Sequence, residues 1–225
     1  MSRYDAIVFD FDGVLVESVD VKTRAFAALY ACHGPEIVAQ VVAFHLANGG
    51  LSRFEKFRYF HNKLLGLPLT REEENKLAAE FNARVESTVV EAPWVDGAEE
   101  FLIKHHTDIP LFVASGTPEE ELKRILQKRQ ISHYFRAAFG SPTKKGDILR
   151  DILKSGGYSP ERMLMVGDSL LDMEGANEAG ICFLGRSVLP DSIFPPDVAV
   201  LPDMSGLQGF IRDGNLHKSL VIHER

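Results

Sequence analysis

The fold class of this chain is decided by the stretch AIVFDFDG, residues 6–13. Its first four residues form a short and almost wholly apolar run, which ends at Asp10. Such a run is typical of a strand buried on both faces, as in a parallel sheet. Three later segments have the same character and predict strands of the same kind: Pro110–Ala114, Met163–Val166 and Ile181–Leu184.

Helical patterns separate the predicted strands. The best example begins at Thr117, with Pro118 at the first helical position and Glu120 completing a capping box. The apolar residues that follow fall on one helix face: Leu122, Ile125 and Leu126. Strands that alternate with helices predict an α/β fold with a doubly wound, Rossmann-like parallel sheet and right-handed crossovers.

The stretch from Ser18 to Ala92 breaks this alternation, because it contains helical patterns only. Glycine, proline and asparagine turn signals divide it into four predicted helices: Val19–His33, Glu36–Ala47, Ser52–Leu65 and Thr70–Val90. A block of helices directly after the first strand predicts an inserted α-helical cap domain. We therefore expect a cap domain at residues 18–92 and a core domain formed by residues 1–17 and 93–225.

Composition restricts the class of protein. The chain has 225 residues, 45% hydrophobic content and a formal net charge of −7, which argues against a nucleic-acid binder. The sequence shows no signal peptide and no apolar run long enough to cross a bilayer, so we expect a soluble, cytoplasmic protein without a membrane partner. Cys32 and Cys182 have no ligand or redox spacing, which indicates two buried thiols in a reducing compartment.

Reactive side chains follow three of the predicted strands. Asp10 and Asp12 follow the first strand, Ser115 and Gly116 follow the second, and Asp168 and Asp172 follow Met163–Val166; Lys144 and Lys145 lie between the last two groups. Taken singly, such residues are usually turns, helix caps or solvated surface. Because ligands bind beyond the carboxyl ends of parallel strands, their occurrence together at one sheet edge favours a shared site.

This residue set fits phosphoryl transfer. A carboxylate of Asp10 would be the nucleophile, and Asp12 would be the acid/base if burial or neighbours raise its pKa. Asp168 offers the oxygen ligand that Mg²⁺ prefers, and Asp172 would hold a metal-bound water. The Ser115 hydroxyl and the Gly116 amide would bind phosphoryl oxygens, and a lysine would neutralise their charge.

The motifs resemble those of the haloacid dehalogenase superfamily, in particular its phosphatases and phosphomutases with a helical cap. The matching segments are Phe9–Leu15, Ala114–Thr117 and Gly167–Asp172, and the similarity runs from about residue 5 to residue 186. The resemblance implies that Asp10 is nucleophile and metal ligand, that Asp12 is acid/base with its carbonyl on the metal, and that Asp168 is the other protein ligand. The family's dehalogenases lack a carboxylate at the Asp12 position, which favours phosphoryl chemistry here.

The third motif departs from the family's common Lys-Pro pattern, because Ser141-Pro142 precedes Thr143-Lys144-Lys145. We favour Lys145 as the phosphate-binding lysine, from resemblance to relatives with Ser-Pro-x-x-Lys. Lys144 remains an alternative.

The predicted cap carries the clues to the substrate. Gly50-Leu51-Ser52-Arg53 resembles the loop with which hexose-phosphate mutases grip the distal end of their substrate, but Lys22 stands where those mutases usually have a histidine. Lys22, Arg53 and Lys56 would make the cap face basic. We therefore expect a substrate with a second anionic group, such as a sugar acid phosphate or phosphoglycolate. The alternative is that Arg53 and Lys56 lie on the exposed side of their helix.

Together these features predict a Mg²⁺-dependent phosphatase, active as a monomer or homodimer on a small phosphorylated metabolite. One alternative is a phosphomutase of the β-phosphoglucomutase type. A second is a binding or regulatory protein that keeps the fold without turnover. A phosphonate-cleaving enzyme would need a cap lysine of depressed pKa, and nothing in the sequence near Lys22 or Lys56 indicates one.

Overall fold

The computed structural model describes residues 2–188 and 192–213. In these residues a single six-stranded sheet has the order β3-β2-β1-β4-β5-β6, and every pairing is parallel. The strands are β1 Ala6–Phe9, β2 Leu111–Pro118, β3 Ala137–Ser141, β4 Met163–Gly167, β5 Cys182–Arg186 and β6 Val200–Leu201. The predicted α/β fold with a doubly wound parallel sheet is therefore confirmed.

Five helices accompany the strands after β1: α5 Ala98–His105, α6 Glu119–Lys128, α7 Lys145–Gly156, α8 Leu170–Ala179 and α9 Leu207–Asp213. The central strands β1 and β4 are completely buried. The face of α6 formed by Leu122, Ile125 and Leu126 is buried as well, as its spacing predicts. Because β1 lies between β2 and β4, the loops after these three strands meet at one edge of the sheet.

Four α-helices lie between β1 and α5, and we call them the cap helices: α1 Val19–Leu29, α2 Pro35–Ala47, α3 Arg53–Tyr59 and α4 Arg71–Glu91. A π-helical segment, Phe60–Leu65, continues α3. Ser52 and Thr70 begin α3 and α4 with capping boxes. The first predicted helix is shorter than expected, because α1 ends at Leu29 and a separate 3₁₀ turn covers Ala31–His33. The limits of a cap domain at residues 18 and 92 stay a prediction.

The cap helices pack around a cluster of aromatic rings. The ring of Phe26 contacts those of Phe57, Phe60 and Phe81 at centroid distances of 5.8, 5.7 and 4.5 Å. All four side chains are buried, and each such phenylalanine contributes about 1.5–3 kcal/mol of burial free energy. This cluster joins α1, α3 and α4, so it fixes the positions of the polar residues that these helices carry.

The chain leaves the sheet for the cap helices near Glu17 and returns near Pro93, and these two connecting segments lie side by side. The Glu17 amide donates to the Pro93 carbonyl at 2.9 Å. Arg186, at the end of β5, holds the first of these segments: its guanidinium donates to the Glu17 carboxylate at 2.6 Å and to the Gly13 carbonyl at 3.0 Å. A buried arginine of β5 thus ties the segment between β1 and α1 to the sheet.

Three local expectations are wrong. β2 continues through Pro118 and α6 begins at Glu119, so Thr117 does not cap a helix; its hydroxyl bonds side chains described below. The short strand β3 was not anticipated, because an edge strand of alanine, phenylalanine and glycine lacks the aliphatic run of its neighbours. Cys32 is exposed and Cys182 only partly buried, so the thiols are not core residues.

No helix among the described residues has the length and apolar character needed to cross a bilayer.

Candidate active site

Asp10 occupies the centre of the site, directly after β1. Its backbone amide donates to the Val166 carbonyl of β4 at 2.9 Å, which continues the sheet by one residue. Its side chain is buried; Oδ1 accepts from the Phe11 amide at 2.7 Å, and Oδ2 lies 2.9 Å from the Lys145 ammonium. The sheet therefore holds this carboxylate in one orientation.

The structure distinguishes the two candidate lysines. Lys145 is the first residue of α7 and is buried, and its ammonium pairs with both Asp10 and Asp172. Lys144 is exposed at the N-cap position of the same helix. Burial alone would lower the pKa of Lys145, but the two carboxylates raise it above its usual value. Lys145 is thus a permanent cation beside Asp10.

Asp168 and Asp172 complete a group of carboxylates with Asp10, in which one oxygen of each lies within 4.8 Å of the others. Asp172 is fully buried; its Oδ2 accepts from the Ser169 amide at 3.0 Å and from the Ser169 hydroxyl at 2.7 Å, while Oδ1 pairs with Lys145. Gly13 is also required here, since a Cβ at that position would lie 2.1 Å from Asp168 Oδ2.

These carboxylates are crowded. Burial, and then the charges of neighbouring carboxylates, raise the pKa of Asp10 to about 7 against the opposing effect of Lys145. The same causes raise the pKa of Asp168 well above its usual value. Three carboxylates that face one lysine leave an excess of negative charge, and hard carboxylate oxygens are the ligands that Mg²⁺ prefers. The residues present therefore fit a divalent cation.

Asp12 points away from this group, toward the cap helices. It accepts from Ser18 Oγ at 2.6 Å and from Thr117 Oγ1 at 3.2 Å, and it forms an ion pair with Lys22 of α1. Burial would raise the pKa of Asp12, but Lys22 and the two hydroxyls lower it below its usual value. The condition set for Asp12 as an acid, a raised pKa, is therefore not met in this structure.

Ser115 and Gly116 lie at the same sheet edge and line the cavity above Asp10. Ser115 is buried, and its hydroxyl accepts from the Thr117 amide at 3.1 Å. A Cβ at Gly116 would lie 2.7 Å from the carbonyl oxygen of Gly50, in the loop before α3. Glycine at this position therefore allows the cap helices to close on the core.

Arg53 and Lys56 are both buried, so they do not lie on the exposed side of their helix. The Arg53 guanidinium donates to Glu121 of α6 at 2.6 Å and lies 4.6 Å from the centroid of the Phe81 ring. This ion pair joins a cap helix to the core, and each partner has a side-chain exposure of 4% or less.

The Lys56 ammonium is placed differently. It lies 2.8 Å from His45 Nδ1 and 3.4 Å from the Gly49 carbonyl oxygen. Burial, and then the charge of Lys22, lower the pKa of Lys56 to about 7. Burial, then Lys56 and Lys22, lower the pKa of His45 to about 3. No local sequence pattern indicates this depressed lysine pKa, because it arises only where α2 and α3 meet.

Three residues of the site were not recognised from the sequence as part of it: His45, Thr117 and Glu121. His45 lies four residues after Val41, on the face of α2 that is buried, and this spacing was an available signal. Thr117 belongs to the Ser-Gly-Thr motif, but its local pattern predicts a helix cap instead. Glu121 lies in an ordinary acidic first turn of α6, and nothing in the sequence marks it out.

The core and the cap helices together line a cavity of about 40 Å³. Most of the site residues described above line it: Asp10, Asp12, Lys22, His45, Arg53, Lys56, Ser115, Gly116, Thr117 and Asp168. Polar groups of both signs thus converge on a space of a few water volumes.

A family model for haloacid dehalogenase-like hydrolases matches residues 4–180, which include every residue of this cavity. The chain belongs to the haloacid dehalogenase-like hydrolases. The family predicted from the motifs is therefore confirmed, and with it the assignment as a hydrolase.

Two curated relatives match most of the chain at low sequence identity. The phosphoglycolate phosphatase of Escherichia coli (strain K12) is 27% identical over 203 residues, which cover 80% of this chain and 79% of the relative. A 5'-nucleotidase of Pseudomonas aeruginosa is 28% identical over 203 residues and covers 81% of this chain and 82% of its own length.

Among solved structures, CbbY from Rhodobacter sphaeroides in complex with phosphate aligns with a TM-score of 0.71 at 19% identity, over 91% of this chain and 96% of that one. This likeness shows a shared fold.

Proposed function

We propose that this haloacid dehalogenase-like hydrolase is a Mg²⁺-dependent phosphatase of small phosphorylated metabolites: sugar phosphates, sugar acid phosphates or phosphoglycolate-type compounds. The observation that supports this most strongly is the placement of Asp10. Its carboxylate is buried and lines the cavity between the core and the cap helices, with Lys145 beside Oδ2. The names of the relatives, phosphoglycolate phosphatase and 5'-nucleotidase, agree with the same reaction class.

In the proposed first step, an Asp10 oxygen attacks phosphorus and the bond from phosphorus to the leaving oxygen breaks. The phosphoryl group is then carried as an acyl phosphate on Asp10, and the leaving oxygen takes a proton from Asp12. The Ser115 hydroxyl, the Gly116 amide and Lys145 hold the phosphoryl oxygens. In the second step, Asp12 takes a proton from the water that attacks phosphorus, and Asp10 is released.

Asp10, Asp168 and, by family resemblance, the Asp12 carbonyl would hold Mg²⁺. When bound, the ion supplies positive charge to the phosphoryl oxygens. Asp172 would act through a water, because both of its oxygens already accept hydrogen bonds from Ser169 or Lys145.

The ion pair with Lys22 makes Asp12 a carboxylate before substrate binds, which suits its role as a base in the second step. For the first step Asp12 must carry a proton. A phosphoryl dianion beside it would compete for the charge of Lys22 and repel the carboxylate, and both effects raise the pKa of Asp12. We therefore place the protonation of Asp12 at substrate binding.

The test is phosphate release from a panel of phosphorylated metabolites, with Mg²⁺ or with EDTA. Asp10→Asn should lower the rate by about 10⁴-fold or more, because it removes the nucleophile. The matched control is Asp20→Asn, the same change at a highly exposed aspartate of α1, which should keep wild-type activity. Metal-independent release, or full activity in Asp10→Asn, would contradict the proposal. Release that needs a bisphosphate activator would favour a phosphomutase.

A further inference from the structure

We propose that Arg129 is a positioning residue for the reaction: it fixes the end of α4 and the returning segment on the core, and the cap helices move about this fixed point. The inference rests on the proposed phosphatase function, because the movement is the one that admits the substrate. Arg129 itself does not line the cavity; it lies at the C-cap position of α6.

The first observation is that the cavity is too small for turnover without movement. Its volume of about 40 Å³ is enough for water molecules only, and its walls belong to both the core and the cap helices. A phosphorylated metabolite is larger, so it enters only when the cap helices move away from the core. Such a movement requires a place where the cap helices stay attached.

The second observation is that Arg129 binds the backbone of the cap side. Its Nη1 atom donates to the carbonyl oxygens of Val89, Val90 and Ala92 at 3.2, 2.7 and 2.8 Å. The last carbonyls of a helix have no partner within the helix, and they carry partial negative charge. Helix α4 has 21 residues and no basic residue in its last turn, so the core supplies the cation.

The third observation is that the same guanidinium contacts the returning segment. It lies 4.8 Å from the centroid of the Trp94 ring. Trp94 forms an antiparallel bridge with Val16 of the other connecting segment. The next amide, that of Val95, donates to the Leu15 carbonyl at 3.0 Å. The two connecting segments are thus paired where Arg129 holds one of them, so the chain enters and leaves the cap helices at one fixed place.

The fourth observation is backbone strain directly after Arg129. Gln130 has a φ of 61°, in the left-handed region that favours glycine, and in residues 2–188 and 192–213 it is the only non-glycine residue with a positive φ. This conformation turns the chain, and the buried Ile131 then donates from its amide to the Leu126 carbonyl at 3.0 Å. The turn places Arg129 at the end of α6, and strain of this kind clusters where a position matters for function.

Contacts on the opposite side, next to α3, are of another kind. Arg53 pairs with Glu121 through side chains, and Gly50 lies against Gly116. Side chains that pair can separate while both backbones keep their conformation, whereas Arg129 binds the backbone beside the connecting segment itself. We therefore expect the side of α3 to open and the end of α4 to stay in place.

The experiment measures the distance between two spin labels in the full chain without substrate. One label is placed on Cys32, which is exposed on the cap side, and the other on Lys154→Cys, at an exposed position of α7. Cys182→Ser removes the remaining thiol. Arg129→Met should widen the distribution of distances, because it removes the hydrogen bonds that fix the end of α4. A lower overall stability of the variant does not by itself widen the distribution in the folded protein.

The matched control is Arg124→Met. Arg124 lies on the same helix and forms a surface ion pair with Glu86 of α4 at 3.8 Å, so its loss should leave the width unchanged. A wild-type width in Arg129→Met, or equal widening in both variants, would overturn the proposal. Should Arg129→Met fail to fold, Arg129→Lys against Arg124→Lys makes the same comparison, because lysine keeps the charge but lacks the planar fork of donors.

Steady-state kinetics with Mg²⁺ gives a second readout. Loss of the fixed point lowers the fraction of molecules in which the cap helices meet the core correctly, and the apparent affinity for substrate falls with that fraction. Arg129→Met should therefore raise KM about 10-fold and keep kcat within about 3-fold of wild type, since bound substrate restores the closed arrangement. An unchanged KM would contradict the proposal. The label distances need no turnover, so they decide the inference even if the proposed hydrolysis fails.

Discussion

The two walls of the cavity carry opposite charge. The core wall carries three carboxylates, those of Asp10, Asp12 and Asp168. Asp10 also pairs with Lys145, which pairs in turn with Asp172. The cap wall carries three cations and one neutral histidine: Lys22, Arg53, Lys56 and His45. The core wall has an excess of negative charge, which fits a metal cation, and the cap wall retains one unpaired positive charge, which fits an anion on the substrate.

The walls also differ in how they are built. The core wall is formed by residues at the ends of parallel strands or at the start of the helices that follow, so the sheet sets their spacing. The cap wall is formed by side chains from α1, α2 and α3, which meet where the rings of His45 and Phe57 contact the ring of Phe26. Ion pairs such as that of Arg53 with Glu121 then hold the two walls together.

The largest effect that we expect is on the core wall. Lys145→Met removes the one cation among three clustered carboxylates, so it should destabilise the metal-free protein by about 3–5 kcal/mol. It should also lower phosphatase activity by about 100-fold or more. Thermal unfolding with and without Mg²⁺, together with phosphate release, checks both effects.

The control, Lys144→Met, changes an exposed neighbour, and its free energy of unfolding should stay within about 0.5 kcal/mol of wild type. Equal effects of the two substitutions would refute the assignment of Lys145.

The fold was largely predictable from the sequence, because buried parallel strands and capped helices leave local signals. Ala6–Phe9 is apolar at every position, and Ser52 and Thr70 begin helices with capping boxes. The failures occur where tertiary contacts override those signals. Thr117 satisfies the local pattern of a helix cap, but in the structure its hydroxyl donates to Asp12 and accepts from Lys22, so the strand continues past it.

The candidate site was predictable on one wall only. Asp10 and Asp168 follow buried strands, and that local pattern is enough to bring them to one sheet edge. Whether Arg53 and Lys56 face substrate, solvent or a core carboxylate depends on which residues of α2 and α6 approach them. His45 and Glu121 are those residues. The spacing of His45 from Val41 indicates a buried face of α2, but no local pattern shows that this face meets α3.

A smaller effect should distinguish the buried ion pair of Arg53 with Glu121, which joins the two walls, from ion pairs on the protein surface. Glu121→Gln and Arg53→Gln, alone and together, form a double-mutant cycle on kcat/KM. We expect a coupling energy of about 1–3 kcal/mol, because the pair is buried and joins the cap helices to the core.

The control cycle uses the ion pair of Arg58, also in α3, with Glu74 of α4, in which the arginine is 58% exposed. That pair should give less than about 1 kcal/mol. Similar coupling in both cycles would mean that the Arg53 pair plays no part in closure.

The smallest effect should come from pH and concerns the cap wall alone. Lys56 is charged below its pKa of about 7 and neutral above it. If Lys56 binds the distal carboxylate of a phosphoglycolate-type substrate, the ratio of kcat/KM for phosphoglycolate to that for 2-hydroxyethyl phosphate, which has a neutral hydroxyl in place of the carboxylate, should fall as pH rises above 7, by up to about 10-fold per unit. The pKa of Asp10 is also raised in the metal-free protein, to about 7. Asp10 acts on the phosphoryl group common to both compounds, so any effect of its titration cancels in the ratio.

The remaining charged groups around Lys56 are Lys22, Asp12 and Asp168, which face both substrates alike, and His45 stays neutral throughout this range. The measurement is the ratio of kcat/KM for the two compounds from pH 6 to pH 9. In Lys56→Gln the ratio should be low and independent of pH. A wild-type ratio that stays constant across this range would show that the distal carboxylate is bound by a group other than Lys56, and the contrast between the two walls would then rest on the metal site alone.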